Sequence, residues 1–259
     1  GSRVLLTGAS GGLGQAIARG LAARGARLTL TSRRVDLLEA LASELDATVI
    51  AADLSSGEEV ARLASEAGEV DVLLANAGIP AAGRLESFSV EEVDRTLDVN
   101  LRSAILLTHA LLPGMLERQR GQIVFISSIA GKTTVPGDPL YHATKYGMRG
   151  FAAAMRMDLH GTGVSSSCVF PGFIHGAGIF ADSGAKLPPG VGTRSPEDVA
   201  DAVVSAIEKD RGEVEVAAFP QRAGARMANL SPDLSAALVR RTGGGRLARE
   251  MDLALRDKR

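Results

Sequence analysis

The chain has 259 residues, 45% of them hydrophobic and 23% charged, and a net charge of −1. That length is enough for one large core, and the balanced charge points to neither nucleic acid nor an acidic membrane. Cys168 is the only cysteine, which excludes an internal disulfide and a cysteine-based metal site.

Cys168 lies in the apolar run Ser167-Cys168-Val169-Phe170 and reads as a small core residue. No apolar run approaches the roughly 20 residues of a membrane span, and no N-terminal stretch resembles a signal peptide. Gly1-Ser2 without an initiator Met reads as the scar of a cleaved tag, and the cytoplasm is the default compartment.

The first element is a β-rich run from Arg3 to Leu6. It is followed by Thr7-Gly8-Ala9-Ser10-Gly11-Gly12-Leu13-Gly14 and a helix over 15–23. A strand, a glycine turn and a helix place free N–H groups and a positive dipole end where a phosphate can sit. The spacing Gly8, Gly12, Gly14 differs from the G-x-G-x-x-G form.

The second strand, 26–31, ends at Ser32-Arg33-Arg34. An acid at this tip would favour NAD through the ribose 2′-hydroxyl, whereas basic residues favour the 2′-phosphate of NADP. NADP(H) is therefore the expected cofactor, with NAD the second choice. A helix over 35–45 and a third strand over 47–52 lead to Asp53-Leu54. Asp53 can accept a bond from an adenine amino group or cap the next helix.

The fourth strand, 70–74, runs into Ala75-Asn76-Ala77-Gly78, small residues suited to close approach of a ligand. A long helical region follows, over 90–118. Asn100 in its middle is a poor helix former, which predicts a kink or a buried polar network. The fifth strand, 122–126, delivers Ser127 and Ser128. The helix over 140–159 carries Tyr141 and Lys145 on one face, four residues apart. An ammonium beside a phenol favours the phenolate, so Lys145 is expected to lower the Tyr141 pKa.

The sixth strand, 164–170, leaves through Pro171-Gly172-Phe173-Ile174. Residues 175–192 are rich in Gly and Pro and read as a mobile flap. Ser195-Pro196-Glu197-Asp198 starts a helix to about Lys209, and 213–217 form a seventh strand. In the helical extension over 219–259, Ser231-Pro232-Asp233 starts a short helix and Gly243-Gly244-Gly245 breaks the chain. On a last helix, Leu247, Met251, Ala254 and Leu255 form a stripe that covers the flap or a neighbouring subunit. An interfacial membrane helix is disfavoured by the short stripe and its interleaved acids.

Alternating strands and helices imply one domain over 1–259. The expected fold is a Rossmann-like, doubly wound parallel α/β sheet of about seven strands, with helices on both faces. Such sheets bind ligands at the carboxyl ends of strands. That edge gathers the glycine turn, Ser32, Arg33, Asp53, Asn76, Ser128 and Pro171.

These motifs together resemble the short-chain dehydrogenase/reductase family, in its compact single-domain branch, from Arg3 to about Ala217. Thr7-Gly8-x-x-x-Gly12-x-Gly14 resembles its cofactor turn, and Asn76-Ala77-Gly78 its N-A-G segment. Asn100 resembles its helix asparagine, Ser128 and Tyr141-His142-Ala143-Thr144-Lys145 its serine and Y-x-x-x-K, and Pro171-Gly172 its P-G turn. The resemblance implies a catalytic set of Asn100, Ser128, Tyr141 and Lys145. Tyr141 would exchange a proton with a carbonyl or alcohol oxygen, and Ser128 would bond that oxygen. Lys145 would hold the nicotinamide ribose, and Asn100 would hold a water linking Lys145 to solvent. The implied cofactor contacts are Gly8, Ser10, Gly11, Gly12, Leu13, Gly14, Ser32, Arg33, Arg34, Asp53, Leu54, Asn76, Ala77, Gly78, Tyr141, Lys145, Pro171, Gly172 and Ile174.

The chain departs from the family pattern in three places. His175-Gly176 stands where a Thr is common, Gly11 where NADP users often have a basic residue, and Ala75 where a second Asn is common. The substrate pocket is expected between 129–140, His142, Phe173 and the flap, with Lys132 and Lys186 able to reach in. A moderately lipophilic ketone, aldehyde or secondary alcohol suits it. A non-catalytic dinucleotide sensor is the alternative; a nucleotide-sugar epimerase or dehydratase would want more than the forty or so residues after Ala217. The resemblance also implies a homodimer or homotetramer formed through the helices at about 90–118 and 140–159.

Overall fold

The computed structural model describes residues 1–241 and 245–258. Seven strands form one parallel sheet: β1 (Arg3–Thr7), β2 (Arg27–Thr31), β3 (Thr48–Val49), β4 (Val72–Ala75), β5 (Gly121–Ile126), β6 (Val164–Pro171) and β7 (Glu213–Val216). Their spatial order is β3-β2-β1-β4-β5-β6-β7. β3 has two residues where six were expected. Its continuation stays near the sheet through single backbone bonds, Ile50 N–H to Leu30 and Ala52 N–H to Ser32.

Strand side chains alternate between the two sheet faces, and both faces are buried. Val4, Leu6, Val124, Ile126 and Val169 pack on one face with α1 (Gly12–Ala22), α2 (Val35–Leu45) and α8 (Pro196–Glu208). Leu5, Leu73, Ile123, Phe125, Cys168 and Phe170 pack on the other. There they meet α3 (Gly57–Ala67), α5 (Ser103–Glu117) and α6 (Pro139–Asp158). The order reverses between β1 and β4, so their carboxyl ends open the crevice that binds ligands in such sheets.

The predicted helix over 90–118 is interrupted. α4 (Val90–Leu97) passes through one π turn at Asp98–Arg102 into α5. Residues 90–117 have the length and hydropathy of a membrane crossing by composition alone. Leu107, Leu111 and Met115 are nevertheless core residues of the sheet's second face.

The flap holds a short helix, α7 (Gly178–Ser183), anchored by a bridge between Ile174 and Arg194. Beyond β7 come α9 (Phe219–Leu230), α10 (Pro232–Arg241) and α11 (Gly245–Leu255). α9 opens the expected helical extension, though its own bounds were not predicted; Pro220 in its first turn is compatible with a helix start. α11 packs on α7, so it covers the flap. Its buried positions are Ala248 and Leu255, whereas Ala254 is exposed, which shifts the expected stripe by part of a turn. Gly243 and Gly244 of the predicted glycine break lie outside the described residues.

Candidate active site

Three backbones meet at the glycine turn. Gly8 has φ +66°, and a Cβ there would come 2.8 Å from Ala77 Cα. A Cβ on Gly14 would lie 2.3 Å from the Gly8 carbonyl oxygen. That neighbour is backbone and cannot turn aside, so Gly14→Ala is expected to destabilise the fold by ~1–3 kcal/mol, the range for overpacking. Thermal unfolding checks this; an unchanged midpoint contradicts the packing described.

Thr7, read only as part of a motif, is the brace of this corner. Its Oγ1 donates to the Leu74 carbonyl at 3.3 Å and accepts from the Asn76 and Ala77 N–H groups at 3.0 Å each. Asn76 Nδ2 donates back to the Thr7 and Gly8 carbonyls at 2.9 and 3.2 Å. These bonds fix the turn, and the N-terminus of α1 stands at the carboxyl end of β1, at the crevice. The residues present fit a pyrophosphate: positions that a Cβ would obstruct are glycines, and the dipole end is positive.

At the tip of β2, Ser32 Oγ accepts the Arg34 N–H at 3.1 Å. Arg34 reaches across to the glycine turn, donating from Nη2 to the Ser10 carbonyl at 2.9 Å and from Nε to Ser10 Oγ at 3.3 Å. Arg33 is exposed beside it. Asp53 turns toward its own loop, where one carboxylate oxygen accepts from Ser55 N–H and Oγ at 3.0 and 2.8 Å. Burial pushes its pKa up, but these bonds and the charges of Arg33 and Arg95 hold it below the usual range. Asp53 therefore closes a local turn, and the cap of α3 is Ser56, whose Oγ accepts the Glu59 N–H at 3.3 Å. Leu54 is buried in the core.

Asn100 is fully buried in the π turn. Its Oδ1 accepts from Ile79 N–H at 2.7 Å and its Nδ2 donates to the Ile79 carbonyl at 3.0 Å. Of the two expectations, a kink or a buried polar network, the structure shows the polar network, set in a π turn. This bond fastens the Asn76-Ala77-Gly78 segment against α6: a Cβ on Gly78 would lie 3.5 Å from Asn100 Oδ1 and 3.7 Å from Lys145 Nζ.

Ser128, Tyr141 and Lys145 converge at the end of β5. Ser128 Oγ accepts from Ala130 N–H at 3.1 Å, faces the Pro171 carbonyl at 3.4 Å and hydrogen-bonds the Tyr141 hydroxyl. Lys145 Nζ lies 5.5 Å from the Tyr141 ring centre and donates to the Ile126 carbonyl at 3.1 Å. The expected lowering of the Tyr141 pKa is not what this structure holds. Burial and the Asp138 carboxylate push the phenol up, against the Ser128 bond. Lys145, buried where Tyr141 is half-buried, falls to about 8. Its charge is weakened at its source, because desolvation disfavours the ammonium and the phenolate alike.

Gly172, in the P-G turn, donates its N–H to the Val216 carbonyl at 2.8 Å. Gln221 of α9, which sequence reasoning missed, accepts the Phe173 N–H at 3.1 Å and donates to the Gly192 carbonyl at 2.6 Å. It thereby ties both ends of the flap to the extension. The flap reaches the glycine turn, since a Cβ on Gly12 would lie 2.5 Å from Ala177 Cβ. The Phe173 and Phe180 rings meet at 4.9 Å, tilted by 55°, on the flap, and Ile174 is buried.

Two residues expected to reach the substrate are occupied elsewhere. Lys132 is buried between Glu213 and Glu215, 2.7 and 2.8 Å away, over the Phe170 ring. His142 accepts the Val135 N–H on Nε2 at 3.1 Å, which leaves Nδ1–H to donate to the Ala130 carbonyl at 2.8 Å. It clamps the 130–135 loop. His175 is exposed and meets Thr193 Oγ1 at 3.1 Å, while Lys186 is exposed on the flap.

The sequence model described as short chain dehydrogenase matches residues 2–187. The ketoacyl reductase HetN of Nostoc sp. is 39% identical over 223 residues, covering 83% of this chain and 78% of that protein. The NADP-dependent 3-hydroxy acid dehydrogenase YdfG of Salmonella typhi is 35% identical over 214 residues, 77% of this chain and 86% of its own length. Among solved structures, the closed form of serine dehydrogenase complexed with NADP+ superposes with a TM-score of 0.74 at 30% identity, covering 82% of this chain and 93% of that one. With the motif residues assembled at one sheet edge, the chain belongs to the short-chain dehydrogenase/reductase family of NAD(P)-dependent oxidoreductases.

Proposed function

We propose that the protein is an NADP(H)-dependent oxidoreductase that interconverts a ketone or aldehyde and an alcohol, with Tyr141 as general acid/base. The observation that carries this reading is the convergence of Ser128, Tyr141, Lys145 and Asn100 beside the P-G turn. A dinucleotide sensor has no use for a proton donor at that place. The nicotinamide cofactor supplies the hydride; the chain supplies placement and the proton. Ser128 holds the substrate oxygen against the Tyr141 hydroxyl, Tyr141 delivers or removes the proton, and Lys145 holds the ribose hydroxyls. Asn100 keeps the Gly78 segment against Lys145.

The preference for NADP(H) rests on the cationic tip of β2. Arg34 is held against Ser10, Ser32 stands beside it, and Arg33 is free to close on a 2′-phosphate. Two relatives whose names include NADP support it. Arg33→Ala is expected to weaken NADPH binding roughly tenfold or more, the weight of a hydrogen bond to a charged group, and to leave NADH unchanged. Fluorescence titration of both cofactors checks this. Tighter NADH binding by the unaltered protein would overturn the preference.

The substrate is a moderately lipophilic carbonyl compound or alcohol. The Phe173–Phe180 pair and Val135 offer apolar walls, and Lys132, the nearest cation on the catalytic loop, is neutralised by Glu213 and Glu215. We also propose a homodimer or homotetramer built on the α4–α5 and α6 helices. NADPH oxidation across ketones, aldehydes and acyl-thioester mimics tests the reading; no turnover with any carbonyl would sink it.

A further inference from the structure

The extension beyond β7 carries a surface that the catalytic reading does not use. Phe219, Leu230 and Leu234 are 78%, 87% and 59% exposed, the first two among the most exposed large hydrophobics of the described residues. They line one groove of about 570 Å³ between α9 and α10, together with Met227, Arg222 and Arg226. Large exposed apolar side chains that cluster in this way mark an interaction site.

The charge around the groove names the kind of partner. Residues 219–259 contain nine Arg or Lys against four Asp or Glu, whereas the first 218 contain twenty against twenty-six. A chain that is nearly neutral as a whole is therefore strongly polarised. Arg226 sits in the groove wall, and Arg240 and Arg241 are exposed at the end of α10. Arg241 is seven residues from Leu234 and shares its helix face. Arg222 is held by Glu215 at 3.2 Å, which leaves Arg226 in the groove wall with Arg240 and Arg241 along α10. Exposed Phe and Leu beside these cations suit the boundary of an anionic bilayer, where the apolar groups enter the acyl region and the cations meet headgroup phosphates. A second copy meeting this surface across a two-fold axis would bring the arginine cluster against its own image.

We infer that the α9–α10 face docks the protein peripherally on an anionic lipid surface. The docking element is this pair of helices, not the last helix that the sequence singled out. α9 is also the helix that holds the active-site loops. Its Gln221 ties down the flap, and its Asn229 donates to the Lys132 carbonyl at 3.0 Å. Docking through α9 engages the helix that holds these loops, although the docking itself does not depend on the assigned reaction.

The test is flotation of the full chain with vesicles of phosphatidylcholine alone or mixed with phosphatidylserine. Binding is expected only with the serine lipid, and it should fall as salt rises. Each of Arg226→Gln, Arg240→Gln and Arg241→Gln should weaken binding about fivefold, near the worth of one cation at such a surface, and the triple variant about a hundredfold. Leu230→Ser should weaken it at every salt concentration. Unchanged circular dichroism and NADPH binding in the variants show that the fold persists. Absence of binding to the mixed vesicles, equal binding to both vesicles, or a dimer that Leu230→Ser dissociates in place of vesicle binding would each overturn the proposal.

Discussion

Tyr141→Phe is expected to abolish carbonyl reduction while leaving NADPH binding intact. The ring keeps its half-buried place on α6, so the change removes one hydroxyl and its bond to Ser128. General acid catalysis contributes typically 10²–10⁴-fold, and loss of at least that much in kcat is the expected result. The pH dependence has a definite sign. Burial and Asp138 raise the phenol pKa, so the proton to be donated is present throughout the neutral range. Reduction should stay flat there and decline only in alkali. Oxidation of the alcohol, which needs the proton removed, should climb as pH rises. Retained turnover in Tyr141→Phe, or reduction that fails already near neutral pH, would show that another group carries the proton.

The parts of this site that were legible in the sequence are those in which one residue type answers to one backbone requirement. Gly8 and Gly14 occupy positions where a side chain collides with backbone, and Asn100 in a helix needed a partner, which Ile79 provides. The parallel, doubly wound sheet of seven strands followed from alternation alone. What stayed hidden depended on partners distant in sequence. Lys132 looked free to meet substrate because Glu213 and Glu215 lie more than eighty residues away. His142 looked free to line the substrate pocket, and Gln221 went unread, because their acceptors and donors are backbone groups of loops with no pattern of their own. The direction of the Tyr141 shift was missed for a related reason. Proximity to Lys145 is readable from an i, i+4 spacing, but the burial that outweighs it is a property of the packed fold.

Lys145→Met should give a protein that is inactive yet more stable than the parent near neutral pH. Burial lowers the Lys145 pKa from 10.5 to about 8, so the free protein holds its ammonium at a cost. The sign follows from proton counts. Between about pH 8 and the unfolded value, the unfolded chain binds the proton and the folded chain releases it, so raising the pH stabilises the folded parent. Below about pH 8 both states are protonated and the full cost is present, at most about 3 kcal/mol for a shift of that size. Met has a similar shape and no charge; it recovers part of this cost and gives up the bond to the Ile126 carbonyl. The melting temperature should therefore rise by several degrees near pH 7, and the gap to the parent should narrow as the pH climbs through the Lys145 pKa. Activity should be lost over the whole range, since the variant can neither hold the ribose hydroxyls nor place a cation near Tyr141. A variant that is less stable at neutral pH, or a gap that widens with pH, would mean that Lys145 is held charged by partners beyond those described. Stability and catalysis pull in opposite directions at this lysine, as expected of a charge kept buried for chemistry.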